Sequence, residues 1–152
     1  MKYVTTEPLT AEQVLEKAIE LIDAKYTVGA KFTCSQTTKD YLKCKLGVYE
    51  KEVFAVLFMD SQHGLIEYKE MFFGTINAAA VYPREIVKLA LTLNAAAVVL
   101  AHNHPSGLSE ASLADKQITE RIKKALALID INVLDHIIIA KEPLSFAETG
   151  LL

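Results

Sequence analysis

Apolar residues recur at helical spacing in two segments near the start of the chain. The first segment follows Thr10, which forms a capping-box pattern with Gln13, and we predict that its helix ends near residues 24–26. The apolar stripe of this helix consists of Ala11, Val14, Leu15, Ala18 and Ile22. A second helix is predicted from about Ser35 or Thr37 to Val48, with its cap supplied by the polar cluster 35–38.

The pattern changes to that of strands after Glu52. Residues 53–59 are continuously apolar and rich in strand formers, which predicts a strand buried on both faces. Residues 65–73 alternate loosely between apolar and polar side chains, so we expect a half-exposed strand. The turn composition of residues 60–64 joins the two strands as a hairpin.

Helices and strands alternate in the second half of the chain. In chain order we predict a helix from Pro83 to Asn94, a strand over 95–101, an interruption over 102–107, a helix from Ser109 or Ser112 to about 128, a strand over 131–140 and a tail over 144–152. The whole order, αα-ββ-α-β-α-β, predicts a mixed α/β (α+β) domain with helices around one sheet.

Composition places the chain among folded proteins. Hydrophobic residues make up 51% and charged residues 23%, which excludes disordered and collagen-like classes. A chain of 152 residues can bury a core without disulfide or metal staples. The balance of 16 Lys and Arg against 19 Asp and Glu gives a net charge of −3, which disfavours strong nucleic-acid binding.

The sequence carries no pattern typical of a membrane span or a secretion signal. Residues 89–109 are uncharged, but polar side chains and Pro105 interrupt them. The N-terminus lacks the apolar core of a signal peptide. Cys34 and Cys44 lie ten residues apart, a spacing that fits neither a zinc knuckle nor a redox pair. We therefore expect reduced thiols, a cytoplasmic location and no membrane contact.

Candidate metal ligands lie at the end of the third predicted strand. His102 and His104 are two residues apart, so their side chains project from the same face. The short turn that follows can bring Asp115, near the start of the next helix, back against them. Two histidines and one carboxylate leave a fourth position around zinc for water. The spacing alone leaves open the alternative that these histidines are core or surface residues of a tight turn.

Three further residues have both a functional and a structural interpretation. Glu52 directly precedes a buried strand and is a candidate general base, with a solvated strand start as the alternative. Ser112 could donate to an oxyanion or merely cap a helix. His136 lies inside the last apolar strand, where we expect a structural or supporting place rather than a third metal-binding histidine.

These residues reproduce a known spacing. His102-x-His104, then seven residues, Ser112, two residues and Asp115 resemble the JAMM motif of the JAB/MPN metalloprotease family. The string His-Asn-His-Pro-Ser-Gly over 102–107 is similar to the hallmark of the RadC branch of that family. Four further strings also resemble RadC: Phe73-Gly-Thr75, Val81-Tyr-Pro-Arg-Glu85, Leu134-Asp-His136 and Gly150-Leu-Leu152. The likeness covers about residues 30–152.

The resemblance implies a curved, largely antiparallel sheet flanked by helices. It also implies one zinc ion per chain, bound by His102, His104 and Asp115. Glu52 would be the general base and acid that activates a zinc-bound water against an amide carbonyl, and Ser112 would stabilise the oxyanion. The expected function is that of a zinc metallohydrolase, a peptidase or isopeptidase. The alternative is a non-catalytic RadC-like binding module associated with DNA repair.

The resemblance also bears on domains and partners. Longer RadC proteins carry an N-terminal helix-hairpin-helix region that binds DNA, and this chain is similar to short RadC-like proteins without one. We therefore predict a helical extension over 1–30 and a RadC-like MPN domain over 31–152. An unknown peptide or protein is the expected substrate, and the sequence makes no prediction of the oligomeric state.

Overall fold

The computed structural model describes residues 7–74 and 80–152, so Thr75 of the RadC-like strings lies outside the described residues. In chain order, the described residues form α1 (Ala11–Lys25), α2 (Ser35–Leu46), β1 (Val53–Met59), β2 (Leu65–Phe73), α3 (Pro83–Thr92), β3 (Ala97–Asn103), α4 (Leu113–Ala127), β4 (Asn132–Ile139), β5 (Leu144–Ser145) and α5 (Phe146–Thr149). None of the described helices combines the length and apolar character needed to span a bilayer.

The strands form one sheet in the order β2-β1-β3-β4-β5. Only β3 and β4 run parallel among the described strand pairs, because α4 carries the chain back across the sheet between them. The other neighbours are antiparallel. The predicted mixed α/β fold with a largely antiparallel sheet is confirmed.

The core has two layers, one on each face of the sheet. Alternate residues of β1 point to opposite faces, so Ala55 and Leu57 pack in the layer that contains α2, while Val56 and Phe58 pack in the layer that contains α3 and α4. Every residue of β1 is buried. Both faces are therefore covered, which explains the continuous apolar run predicted as a buried strand.

The helix starts agree with the predicted caps at two of three positions. Thr10 forms a capping box with Gln13 at the start of α1, and Ser112, rather than Ser109, caps α4. The prediction for α2 was wrong, because Cys34 occupies the cap position and makes no side-chain capping hydrogen bond. The polar cluster 35–38 lies inside the helix instead, which begins at Ser35 and ends at Leu46 rather than residue 48.

The C-terminal segment is more ordered than the predicted tail. β5 and α5 form there, and the buried carboxylate of Asp135 holds both. The Ser145 hydroxyl donates to this carboxylate at 2.6 Å, and the backbone N–H of Ala147 donates at 3.0 Å. Sequence periodicity missed these elements because they are short and depend on a partner ten residues away.

Helix α1 has the predicted amphipathic stripe but does not bury it. None of its residues is buried, and Val14 and Leu15 remain 52% and 51% exposed. In contrast, Leu46 at the end of α2 is fully buried in the core. The two helices therefore contribute very differently to stability, although both contain leucines at helical spacing. The predicted division of the chain at residue 30 stays a prediction.

We expect Leu46→Ala to lower the free energy of unfolding by about 2–5 kcal/mol, since it removes buried apolar surface and leaves a cavity. The matched substitution Leu15→Ala on α1 should change it by no more than about 0.5 kcal/mol. Urea unfolding of both variants measures the difference. Equal losses would show that α1 is packed as tightly as α2.

Candidate metal centre

The two candidate histidines lie where β3 ends. His102 is inside the strand and fully buried, because β3 extends to Asn103, two residues beyond the predicted end. His104 follows the strand, and its backbone N–H donates to the carbonyl of Ile139 at 2.8 Å. Both side chains project toward the face that α4 covers. The His102 ring stacks nearly parallel to the ring of Phe54 on the adjacent strand, with an interplanar angle of 11°.

Asp115 reaches the histidines because α4 begins with a reciprocal cap. The Asp115 N–H donates to the Ser112 hydroxyl oxygen at 3.1 Å, and the Ser112 N–H donates to Asp115 Oδ2 at 2.8 Å. The chain turns back before this helix, where Gly107 takes a left-handed conformation with φ 76°. The capped carboxylate then lies beside the imidazoles, with Oδ1 3.2 Å from His102 Nε2 and Oδ2 3.5 Å from His104 Nε2.

The three side chains fit a divalent metal ion. The Nε2 atoms of His102 and His104 lie 3.0 Å apart, and one ligand atom from each of the three residues falls within 4.8 Å of the others. Tetrahedral zinc with bonds of about 2.0–2.1 Å would hold neighbouring donor atoms about 3.3 Å apart. His104 also has the correct proton placement, since Nδ1 lies 2.9 Å from the Leu108 carbonyl, which can only accept. In the neutral imidazole the Nε2 lone pair is therefore directed at the cluster.

The ionisable side chains of the cluster shift one another's pKa values. Burial opposes ionisation of Asp115, but the adjacent imidazoles of His102 and His104 outweigh it and hold the pKa of the carboxyl well below its usual range. The pKa of His104 is raised in turn, chiefly by its hydrogen bond to Asp115 and against the effect of burial. A deprotonated carboxylate is the form that binds a metal.

Glu52 and Ser112 face the same cavity as the three candidate ligands. The cavity has a volume of about 620 Å³ and is open to solvent. Glu52 directly precedes β1, which pairs with β3 so that Phe54 lies opposite His102. The structure therefore brings together the five predicted site residues. Their individual roles stay predictions.

Asn103 is a site residue that the sequence analysis missed. Its side chain projects from the face opposite the histidines, where Oδ1 accepts from the Val53 N–H at 2.7 Å. Its Nδ2 donates to the carbonyls of Lys51 and Tyr49 at 2.9 and 3.2 Å. These bonds hold the backbone on both sides of Glu52. The sequence did contain a signal for Asn103: it is a polar residue that directly follows an apolar strand, where a buried polar side chain needs hydrogen-bond partners.

A groove continues from the cluster along α4. The α4 residues that line this groove recur every three or four positions and so share one face of the helix. They are Ala114, Gln117, Ile118 and Arg121. Phe54 and Val81 line it elsewhere. A concave site lined by apolar side chains together with a few polar groups is typical of a ligand site.

The fold and this cluster together define a mixed α/β domain with a candidate metal centre at the end of its central strands. A model of the family described as the RadC-like JAB domain matches residues 32–151. The chain belongs to this family.

Relatives across several bacteria agree with the match. Two UPF0758 proteins of Vibrio cholerae serotype O1 are 53% and 52% identical over 151 residues, which cover 99% of this chain and 96% of each relative. A UPF0758 protein of Idiomarina loihiensis is 59% identical over 122 residues, or 80% of this chain and 54% of the relative. The chain thus spans nearly the whole of some relatives and about half of a longer one.

We expect Asn103→Asp to lower the free energy of unfolding by about 1–3 kcal/mol, because it replaces the amide donor with an oxygen that faces two carbonyls. Asn132→Asp, at the exposed start of β4, is the matched control and should change stability by no more than about 0.5 kcal/mol. Urea unfolding and hydrogen exchange of the Val53 amide measure both variants. Unchanged exchange at Val53 in Asn103→Asp would contradict the anchoring role.

The metal-free protein should lose stability in mild acid because of His136. Burial lowers the pKa of this histidine well below its usual value, and the nearby His102 acts in the same direction. The unfolded chain then binds the proton more readily, so the free energy of unfolding falls as the pH drops below about 6.5.

The variant His136→Gln, which cannot titrate, tests this pH dependence with a chelator present. Between pH 7 and about pH 5, wild type should lose more stability than the variant, by up to about 1.4 kcal/mol per pH unit. The raised pKa of His104 works in the opposite direction in both proteins and largely cancels in the comparison. Parallel curves would contradict the prediction.

Proposed function

We propose that this chain is a zinc-dependent metallohydrolase that cleaves peptide or isopeptide bonds. The observation that supports the proposal is the convergence of a carboxylate and a hydroxyl, Glu52 and Ser112, on the cavity that contains His102, His104 and Asp115. A site that only held the fold together would be closed by a fourth protein ligand. This cavity is open, as a hydrolytic site requires.

The three candidate ligands would hold the zinc, and Glu52 would transfer the proton. Zinc, when bound, supplies a Lewis acid that polarises a carbonyl and lowers the pKa of water. Glu52 lines the same cavity as the candidate ligands, so its carboxylate can accept a proton from the attacking water and return it to the leaving amine. Asn103 keeps Glu52 in this position by holding the backbone at Lys51 and Val53.

Ser112 would stabilise the oxyanion. Its oxygen already accepts the Asp115 N–H, which orients the hydroxyl at the start of α4. A hydroxyl carries one hydrogen in addition to its acceptor lone pairs, so Ser112 can still donate to a developing negative charge. The helix N-terminus adds a favourable partial positive charge at the same point.

The groove favours an extended substrate. From Ser112 to Arg121 the edge of α4 spans about 14 Å, at about 1.5 Å per residue. An extended peptide covers about 3.3 Å per residue, so about four residues would fit along this edge. We infer a peptide or protein substrate in the cytoplasm, and no strong nucleic-acid binding because the chain has a net charge of −3.

Purified wild type should contain about one zinc ion per chain by elemental analysis, and the double variant His102→Ala/His104→Ala should contain none. Glu52→Gln should keep the zinc, because Glu52 is not a ligand, yet lower hydrolysis by about 10²–10⁴-fold. A panel of quenched fluorogenic peptide and isopeptide substrates measures the activity. Glu50→Gln, an exposed glutamate two positions away, is the matched control and should keep full activity.

Different outcomes separate the hypotheses. Zinc in wild type with no hydrolysis across the panel would favour a non-catalytic binding module. Equal hydrolysis by wild type and Glu52→Gln would reject Glu52 as the general base. Wild type that takes up no zinc at neutral pH would reject the metallohydrolase.

A further inference from the structure

We propose that Thr119 and His136 form a hydrogen-bond relay that places the His102 proton on Nδ1 and so directs the Nε2 lone pair at the metal. The inference rests on the proposed metal site and adds two positioning residues to it. Neither residue contacts the cavity, and both are fully buried behind His102.

The donors and acceptors of the relay can be assigned starting from the Thr119 hydroxyl. Its hydroxyl lies 2.6 Å from the backbone carbonyl of Asp115, which can only accept, so the single hydroxyl hydrogen is used there. The same oxygen lies 2.6 Å from His136 Nδ1 and must therefore accept from it. Thr119 thus assigns the proton of His136 to Nδ1.

The second step passes from His136 to His102. Burial disfavours a charged imidazole, so His136 has one protonated nitrogen, and its Nε2 is left with a lone pair. His136 Nε2 lies 2.8 Å from His102 Nδ1, which must then be the donor. The proton of a neutral His102 is therefore on Nδ1, and its Nε2 is free to coordinate.

Packing against neighbouring side chains holds the His136 ring of the relay in position. The ring of His136 is held between two phenylalanines, with centroid distances of 4.7 Å to Phe146 and 5.5 Å to Phe54. Thr119 lies one helical turn after Asp115, so α4 supplies both a candidate ligand and the first group of the relay. The C-terminal helix α5 supplies Phe146, which gives this segment a role in supporting the site.

The reverse direction is the competing arrangement. If Thr119 donated to His136 instead, His136 would donate to His102 Nδ1, and the His102 proton would lie on Nε2. That proton would point at Asp115 Oδ1, 3.2 Å away, and would have to leave before a metal could bind. The two arrangements therefore differ in one observable, which is the protonated nitrogen of His102.

Nitrogen-15 NMR of the metal-free wild type, by long-range correlation of the imidazole nitrogens and carbon-bound protons, reads this observable directly. The relay predicts a protonated Nδ1 in both His102 and His136. A protonated Nε2 in His102 would overturn the proposal. This measurement needs no zinc and no variant, so it judges the relay even if the metallohydrolase function fails.

Zinc affinity, measured by competition with a chromophoric chelator, tests the consequence. Thr119→Val keeps the shape but removes the hydroxyl, and we expect zinc binding to weaken by about 10–100-fold, the range for loss of a group that supports a metal ligand. Thr119→Ser restores the hydroxyl and should stay within about threefold of wild type. Wild-type affinity in Thr119→Val, or an equal loss in Thr119→Ser, would overturn the proposal.

Thr38→Val separates the relay from general destabilisation. Thr38 is also buried in a helix, and its hydroxyl also donates to the carbonyl four residues earlier, at Cys34. The two valine variants should therefore lose similar stability in thermal unfolding, while only Thr119→Val loses zinc affinity. An equal loss of affinity in Thr38→Val would show that the effect is not specific to the relay.

Discussion

The carboxylate of Asp115 joins the start of α4 to the end of β3. One of its oxygens accepts the Ser112 N–H and so begins the helix, while the same group lies within 3.2 Å and 3.5 Å of the two imidazoles. A single side chain therefore serves both the fold and the candidate site. If it were lost, the helix would lose one half of its reciprocal cap and the histidines would lose their negative partner, so the two features are coupled.

Strand β3 uses its two faces for two related tasks. His102 projects toward α4, where it meets the other candidate ligands, and Asn103 projects to the opposite face, where it holds the chain before β1. Because adjacent residues of a strand point in opposite directions, the side chains of His102 and Asn103 lie on opposite faces of the sheet. The position of Glu52 relative to the candidate metal ligands is thus fixed through the strand itself and not through a loop.

Polar groups reach deep into this end of the core, and each is satisfied by a partner from another element. His136 on β4 lies between His102 and Thr119, and Asp135 beside it holds β5 and α5. Unpaired groups at these depths would be costly, so the network requires α4, β4 and the C-terminal segment to pack together. The candidate site therefore depends on residues from nearly the whole C-terminal half, which explains why the six-residue string over 102–107 alone cannot build it.

The sequence by itself determined the main helices and strands, two candidate caps for α4, Ser109 and Ser112, and the set of five candidate site residues, because periodicity, capping chemistry and motif spacing are local. Only the tertiary structure decided that α1 stays exposed, that residues 144–149 form β5 and α5, and which partners Asn103, Thr119 and His136 hydrogen-bond. These features rest on hydrogen bonds and packing between residues distant along the chain, such as Thr119 and His136 or Asn103 and Val53. Local sequence patterns cannot predict such pairings, because the partners meet only when strand register and helix docking bring them together.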